Sequence, residues 1–192
     1  ATNPALLAGS KVNSAFSIDL TVFNPTVKAT IGGSGAPEQE NDFGVSYIPN
    51  IGYIQKVNEK LAVGLGVFGF AGMGVDYKND TTGATKKMRA ELNIAKIIPS
   101  ISYSLTNDIS IGLSPVLAYG EMALNYTDGG DTGTISSRDL SNDIGTGFTI
   151  GAKAVLTDNV KVGITYSSGL EMEYDNVANF EQFGMAGSVG EA

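Results

Sequence analysis

The chain has 192 residues, a net charge of −8, and neither cysteine nor histidine. The missing residue types exclude disulfides, thiolate or imidazole metal sites and the commonest general base, so no enzyme activity, catalytic residue, metal ligand or cofactor is predicted. The negative charge disfavours nucleic acid as a partner. No apolar run approaches the length of about 18 residues that a transmembrane helix needs.

Apolar residues alternate with small or polar ones along most of the chain, which predicts β-strands. In the first strand, Phe16, Ile18 and Leu20 share one face, and in the last strand the apolar face is expected to continue to Tyr174. The alternation changes phase near Pro115, which predicts a bulge or bend there. The predicted strands span about 12–24, 45–56, 60–77, 86–105, 109–126, 146–156 and 159–174.

Short and long connections alternate between these strands. Three similar polar turns are centred at residues 58, 107 and 158, and longer polar segments occupy 31–44, 76–87 and 127–145. This arrangement is typical of an antiparallel up-and-down barrel with one short-loop rim and one long-loop rim. The polar strand faces carry Gly, Ser and Thr more than Lys, Glu or Arg. This composition favours a transmembrane barrel with a polar interior over a soluble β-sandwich or soluble barrel.

Several motifs allow two interpretations. For the Glu171/Glu173 pair, the Asp128–Asp131 loop and the Gly32–Gly35 loop, a plain surface or lumen role is favoured over a carboxylate pair, a calcium loop or a phosphate loop. The segment Phe68–Gly74 has three glycines interrupting an apolar strand. They indicate either a kink that opens the wall or small residues that fit a tapering interior.

Taken in order, several stretches resemble the FadL-like outer-membrane transporters, which take up long-chain fatty acids and, in some members, aromatic hydrocarbons. The resemblance covers about residues 3–175 and is to the N-terminal half of the family. The matching stretches are Asn3–Leu6, Phe23–Val27, Tyr47–Ile51, the strand Lys60–Tyr77 with its Ala71-Gly72 break, and Leu92–Ile94 leading to Ser102–Leu105.

The resemblance implies a fourteen-strand barrel, of which about seven strands lie here. Residues 1–11 are expected to be a hatch remnant, 12–175 the barrel strands with long extracellular loops, and 176–192 a loop or truncated end. The hatch motif would be Asn3, Pro4 and Ala5, beside an inward kink of the third strand centred on Ala71 and Gly72. That kink implies a lateral opening in the wall.

The implied function is passive uptake of hydrophobic small molecules across the outer membrane of a Gram-negative-type bacterium. The expected partners are a hydrophobic ligand, outer-membrane lipid, and a C-terminal barrel half or other copies that close the sheet. Ligand contacts are expected at Phe68, Phe70, Met73 and Lys96. Alternation makes Lys96, Lys153 and Arg89 the candidates for meeting a fatty-acid carboxylate.

Two other classes remain open at this point. A structural or adhesive outer-membrane barrel would have no ligand path, and its lumen would be filled with polar side chains. A soluble lipid-binding β-protein would fold as a monomer without detergent.

Overall fold

The computed structural model describes residues 3–30, 35, 37–79, 88–127, 134–136, 141–157 and 159–174. Most of the Gly32–Gly35 motif, the Asp128–Asp131 motif and the predicted end segment 176–192 lie outside the described residues. No helix among the described residues is long and apolar enough to span a membrane.

The fold is one antiparallel sheet in which strands follow one another in chain order. The strands are β1 (Ser14–Phe23), β2 (Lys28–Ala29), β3 (Gln39–Glu40), β4 (Ser46–Lys56), β5 (Leu61–Asp76), β6 (Arg89–Ser104), β7 (Ile109–Thr127), β8 (Thr134–Ser136), β9 (Ser141–Thr157) and β10 (Val160–Ser167). Seven of them pair in the order β1-β4-β5-β6-β7-β9-β10, β8 pairs with β7, and β2 and β3 form a separate hairpin. The all-β antiparallel prediction is confirmed, and the sheet is open, with β1 and β10 at its edges.

The polarity of the two sheet faces is the reverse of that in a soluble protein. On one face, Ser102 and Ser114 are 1% and 4% exposed. On the other face, Leu113 and Ile150 are 41% and 45% exposed although both lie on central strands. Burial of small polar residues and exposure of large apolar ones is expected where the outer surface faces lipid and the inner surface faces a lumen. We call these two surfaces the outer face and the inner face.

Tyrosines delimit an apolar band on the outer face. Tyr103 on β6 pairs with Ile111 on β7, and Tyr119 lies eight residues further along β7. Eight residues of strand span about 27 Å, which a tilt of about 40° reduces to a height of about 21 Å. This height is close to the apolar band of about 25 Å found on transmembrane barrels, where aromatic girdles mark both interfaces.

Prolines interrupt pairing between β6 and β7 without shifting it. The pairs Ile97–Leu117 and Ile101–Leu113 have the same register, with unpaired residues between them. Pairing of β7 with β9 continues through Pro115. The prediction of a bulge near Pro115 is therefore wrong, and the irregularity there is instead a gap in the pairing of β6 with β7. Proline lacks an N–H, so ladder bonds are lost at Pro99 and Pro115 without a change of register.

The last strand is shorter than the alternation predicts. β10 ends at Ser167, and the following residues turn across the inner face instead of extending to Tyr174 on the outer face. A Cβ on Gly120 would overlap Tyr174 and Met172. The turn is fixed where the Ser168 N–H donates to the Phe148 carbonyl at 2.9 Å.

A small hairpin precedes β4, within a connection that was expected to be an irregular loop. Lys28 on β2 and Glu38 beside β3 form an exposed ion pair, Nζ to Oε1, at 2.7 Å. The hydrogen bond and the negative charge of Glu38 raise the pKa of Lys28 above its ordinary value. Because the pair is exposed to solvent, it contributes little to the stability of the hairpin.

Candidate functional site

The N-terminal segment docks on the inner face through Asn3. A short 3-10 helix, Pro4–Leu6, is capped by Asn3, whose Oδ1 accepts the Ala5 N–H at 2.9 Å. The Nδ2 of Asn3 donates to the carbonyls of Ala152 on β9 and Ile164 on β10, at 3.1 and 3.3 Å. One side chain therefore caps the helix and also ties it to the barrel wall.

Serines of the wall satisfy the free carbonyl of this helix. Ser102 Oγ on β6 and Ser110 Oγ on β7 donate to the Ala5 carbonyl oxygen at 3.2 and 2.8 Å. Ala5 is fully buried, so its carbonyl would otherwise be desolvated without a partner. Pro4 lies directly on Gly112, where a Cβ would overlap the backbone of the N-terminal segment. Small and hydroxyl side chains on the inner face therefore form the seat of Asn3, Pro4 and Ala5.

Replacing both Ser102 and Ser110 by alanine is expected to weaken this docking by about 1–3 kcal/mol, because the buried Ala5 carbonyl loses both donors. Either single replacement leaves one donor and should cost less. Hydrogen–deuterium exchange of the amides in residues 5–7 measures the effect. Ser167→Ala, on the edge strand away from the N-terminal segment, is the matched control. Unchanged exchange in the double variant would contradict the assignment of these two donors.

The strand β5 contains a bulge at the predicted break. Gly69 pairs with Ala95 and Ala71 pairs with the next residue along β6, Ile94, so Phe70 is an extra residue. A one-residue bulge moves every later side chain to the opposite face. Met73 consequently pairs with the inner-face residue Leu92, whereas Gly72 and Gly74 share the outer face with polar residues of β6. The bulge lies just before Gly72, and the side chains of Phe70 and Ala71 lie outside the described part of the structure.

Pairing between β4 and β5 stops at this bulge. Among the described residues, the ladder ends at the pair Asn50–Phe68, while β5 continues alongside β6 as far as Asp76. The two segments meet again where the Asp42 N–H donates to the Asp76 carbonyl at 2.7 Å. The eight residue steps between these closures correspond to about 27 Å of extended chain. We call this unpaired region, bordered on the β5 side by Gly69–Val75, the wall window.

Two side chains in the described part of the structure lie in the wall window. Ile48 packs so closely on Gly69 that a Cβ there would overlap it. The ring of Phe43 packs on Gly74 in the same way. Both side chains also line two cavities, of ≈ 680 and ≈ 690 Å³. Ile48 and Phe43 therefore stand where the two cavities adjoin.

The two cavities differ in chemistry. The first, which we call the inner chamber, is apolar, and Glu91 is the only titratable residue among the described residues that line it. Its inner-face lining includes Phe23, Met73, Val75, Ala90, Leu92 and Met122. The second, which we call the outer mouth, has four carboxylates and two cations among the described residues that line it, a difference of −2. Its charged residues are Asp42, Asp76, Lys78, Arg89, Glu91 and Glu121.

The structure brings some of the predicted ligand residues together. Phe68 and Lys96 are register partners on the inner face of β5 and β6. Phe68 also lines a smaller cavity of ≈ 200 Å³, together with Leu7 of the N-terminal segment. Met73 is 64% exposed and lines the inner chamber instead. Two of the predicted ligand residues, Phe68 and Met73, therefore line different cavities along β5.

The other two candidate cations lie elsewhere. Arg89 is on the outer face, where its Nη2 contacts Glu91 Oε2 at 2.7 Å, so its charge is already paired. Lys153 is on the inner face at the short-turn rim, where its Nζ takes the place of a Cβ on Gly9. Neither residue lines the inner chamber.

The N-terminal segment does not lie beside the bulge, as the resemblance implied. Its 3-10 helix contacts β6, β7 and β9. Its contact with β5 is made by Leu7, whose Cδ1 lies 3.3 Å from the Cβ position of Gly64. Gly64 is five residues before Gly69, or about 17 Å along the strand. The implied adjacency is therefore corrected, since the ≈ 200 Å³ cavity separates the two features.

Sequence reasoning did not identify Phe43 or Ile48. Phe43 lies in a segment that alternation assigned to a long loop, and Ile48 looks like an ordinary strand residue. The available signal was the spacing of glycines after Phe68, which indicates positions where another chain segment comes close. It did not indicate which segment.

Comparisons with known proteins agree with this architecture. Residues 1–190 match the model of the family described as outer membrane protein transport protein (OMPP1/FadL/TodX). The fold is similar to a Pseudomonas aeruginosa FadL homologue, with 17% identity, a TM-score of 0.61 and coverage of 91% of this chain and 49% of that one. It is also similar to the P. putida toluene transporter TodX, with 17% identity, a TM-score of 0.65 and coverage of 90% and 51%. The chain thus spans about half the length of these structures, and no curated protein sequence matches it.

Proposed function

The chain belongs to the OMPP1/FadL/TodX family of outer membrane transport proteins, and from this premise we propose that it forms part of a passive uptake path for hydrophobic small molecules. The observation that carries the proposal is the wall window, which has an apolar chamber on one side and a polar mouth on the other. Its location is the outer membrane.

The proposed path needs no energy source. A hydrophobic molecule leaves water for the apolar inner chamber, which is favourable by roughly 25 cal/mol per Å² of buried apolar surface. It then moves past Ile48 and Phe43 and leaves sideways into the membrane. Because no bond is made or broken, differential affinity between conformations is sufficient to drive each step.

The N-terminal segment is proposed to act as the hatch. Asn3, Pro4 and Ala5 fill the inner face at the short-turn rim, and Leu7 forms one side of the ≈ 200 Å³ cavity that reaches Phe68. A shift of this segment would change the volume of that cavity. Polar contacts to carbonyls and hydroxyls can be exchanged for water at low cost, which suits a movable hatch.

The lining favours neutral molecules over carboxylates. Among the described residues, none that lines the inner chamber is cationic, and those that line the outer mouth carry more carboxylates than cations. Lys96 lies on the inner face as the register partner of Phe68, outside the lining of the chamber. We therefore propose that aromatic or aliphatic hydrocarbons pass more readily than fatty-acid anions.

The open sheet requires further strands. Its edges, β1 and β10, carry unpaired backbone groups that lipid does not solvate. We propose that the complementary strands come from more of the same polypeptide or from other copies. Experiments on function are accordingly designed for the full-length protein.

Uptake of toluene and of palmitate tests the proposal in proteoliposomes whose outer leaflet is lipopolysaccharide, because a plain phospholipid bilayer takes up apolar molecules without any protein. Every uptake experiment uses vesicles of this composition. We expect the full-length protein to raise the toluene rate at least tenfold over empty liposomes and the palmitate rate less. Asn3→Ala should change the toluene rate severalfold, because the hatch loses the two hydrogen bonds that Asn3 donates to the wall. Asn58→Ala, which removes a similar cap from a short turn, should not. Equal rates with and without protein would instead support a structural or adhesive barrel.

A further inference from the structure

Phe43 is held at the wall window by a hydrogen-bonded bracket. Asn41 Oδ1 accepts two backbone N–H groups, that of Phe43 at 3.1 Å and that of Asp76 at 2.7 Å. Asp42 adds a backbone bond to the Asp76 carbonyl, and its Oδ2 accepts the N–H of Asn79 at 3.2 Å. The backbone on the N-terminal side of Phe43 is therefore fastened to the end of β5.

On the C-terminal side of Phe43, the chain makes a turn at Gly44. Gly44 has φ +79°, in the left-handed region that other residues adopt at a cost. This turn directs the chain into β4, which begins at Ser46. Phe43 thus projects from a short segment whose two ends are fixed, one to β5 and the other to β4. Its ring can rotate about the side-chain torsions while the backbone stays in place.

The bulge makes room for the ring. Because the extra residue Phe70 reverses the facing of β5, glycines instead of Met73 and Val75 occupy the face that Phe43 approaches. A Cβ on Gly74 would overlap three ring atoms of Phe43. The Phe43 ring, packed on Gly74, therefore closes the upper part of the wall window. Ile48, packed on Gly69, closes its lower end.

We infer that the Phe43 ring, seated on Gly74 and held by the Asn41 bracket, is a side-chain gate that sets the width of molecule able to cross the wall window. The inference rests on the proposed function and specifies its size selection. Rotation of the ring, together with separation of Ile48 from Gly69 at the lower end of the window, admits narrow, flat hydrophobic molecules. Wider molecules require displacement of the bracket, which would break the hydrogen bonds of Asn41 and Asp42.

Two aromatic probes of different width test the gate in the full-length protein in proteoliposomes. The wild type should take up toluene readily and pyrene slowly. Phe43→Ala should raise pyrene uptake about tenfold and toluene uptake less than threefold. Phe148→Ala removes a ring of the outer face, far from the window, and should leave both rates unchanged. Phe43→Leu is expected to give an intermediate pyrene rate and serves if the alanine variant does not fold.

The outcomes separate the gate from the uptake path. If the wild type takes up neither probe, the proposed function fails. If the wild type takes up toluene but Phe43→Ala and Phe43→Leu leave the pyrene-to-toluene ratio unchanged, the gate is wrong while the uptake path stands. A second test asks whether the effects of substitutions at Gly74 and Phe43 on the pyrene-to-toluene ratio depend on each other. Gly74→Ala should change the ratio in the wild type and have no effect in the Phe43→Ala background, where no ring is left to displace.

Discussion

Replacing Ile150 by arginine is expected to lower the free energy of unfolding of the membrane-embedded protein by about 1–3 kcal/mol, because the cost of a cation on the lipid-facing surface rises from the interface towards the bilayer midplane and Ile150 lies between the two. Ile150 is 45% exposed on the outer face and pairs with Leu113 on one side and Tyr166 on the other. These neighbours place it within the apolar band between Tyr103 and Tyr119. In a soluble protein, the same substitution at an exposed position would cost little.

The neighbouring residue Thr149 provides the matched control. It lies on the inner face, where its hydroxyl is 3.0 Å from that of Ser167. Thr149→Arg should cost less than about 1 kcal/mol, because a polar lumen solvates the guanidinium. Urea unfolding of both full-length variants in liposomes measures the difference. A larger cost for Thr149→Arg than for Ile150→Arg would contradict the assignment of the two faces.

The sheet was predictable from the sequence because its determinants are local. Alternation has a period of two, so the facing of Ile111, Leu113 and Leu117 on β7 follows from their spacing alone. The short turns were equally predictable, because the hydrogen bonds that form them are local. Asn58, for example, accepts the backbone N–H groups of residues two and three positions further on. Strand order followed from the short turns, which make consecutive strands neighbours.

The site was less predictable because its contacts are distant in sequence. Asn3 was recognised as part of a hatch motif, but its wall partners, Ala152 and Ile164, are 149 and 161 residues away. The Phe68–Gly74 glycines allowed either a kink or a tapering interior, and they gave no sign that the ring occupying Gly74 comes from a loop segment. Alternation carries no information about which loop residue reaches a gap in the wall.

The end of β10 was predicted wrongly for a related reason. Leu170, Met172 and Tyr174 continue the alternation of the strand, but the chain leaves the sheet at Ser168. Gly120, Gly145 and a third glycine, Gly147, leave space on the inner face that this segment fills. Tertiary packing on glycines therefore outweighs local strand propensity there.

Closing the wall window with a disulfide is expected to abolish most uptake. The Cβ of Ile48 lies 3.6 Å from the Cβ position of Gly69, within the range that a disulfide spans. Because these 192 residues contain no cysteine, the double variant Ile48→Cys/Gly69→Cys would contain a single possible bridge in this part of the protein, and any cysteine in the remaining strands is first replaced by serine. The bridge would fix the two edges of the window together at its lower end and prevent them from separating.

The matched control places a bridge where the same strands are already paired. Ile51 and Val67 are register partners in the intact part of the β4–β5 ladder, so Ile51→Cys/Val67→Cys should form a disulfide without affecting the window. Each variant is compared in its oxidised and reduced forms, so that effects of the substitutions themselves cancel. Bridge formation is confirmed by thiol titration before any rate is measured.

The decisive measurement is toluene uptake by proteoliposomes that contain the full-length Ile48→Cys/Gly69→Cys protein, before and after reduction. A path through the wall window predicts that oxidation lowers the rate at least tenfold, that reduction restores it, and that the Ile51→Cys/Val67→Cys control is insensitive to both treatments. An oxidised, fully bridged window variant that still takes up toluene at the reduced rate would contradict the path.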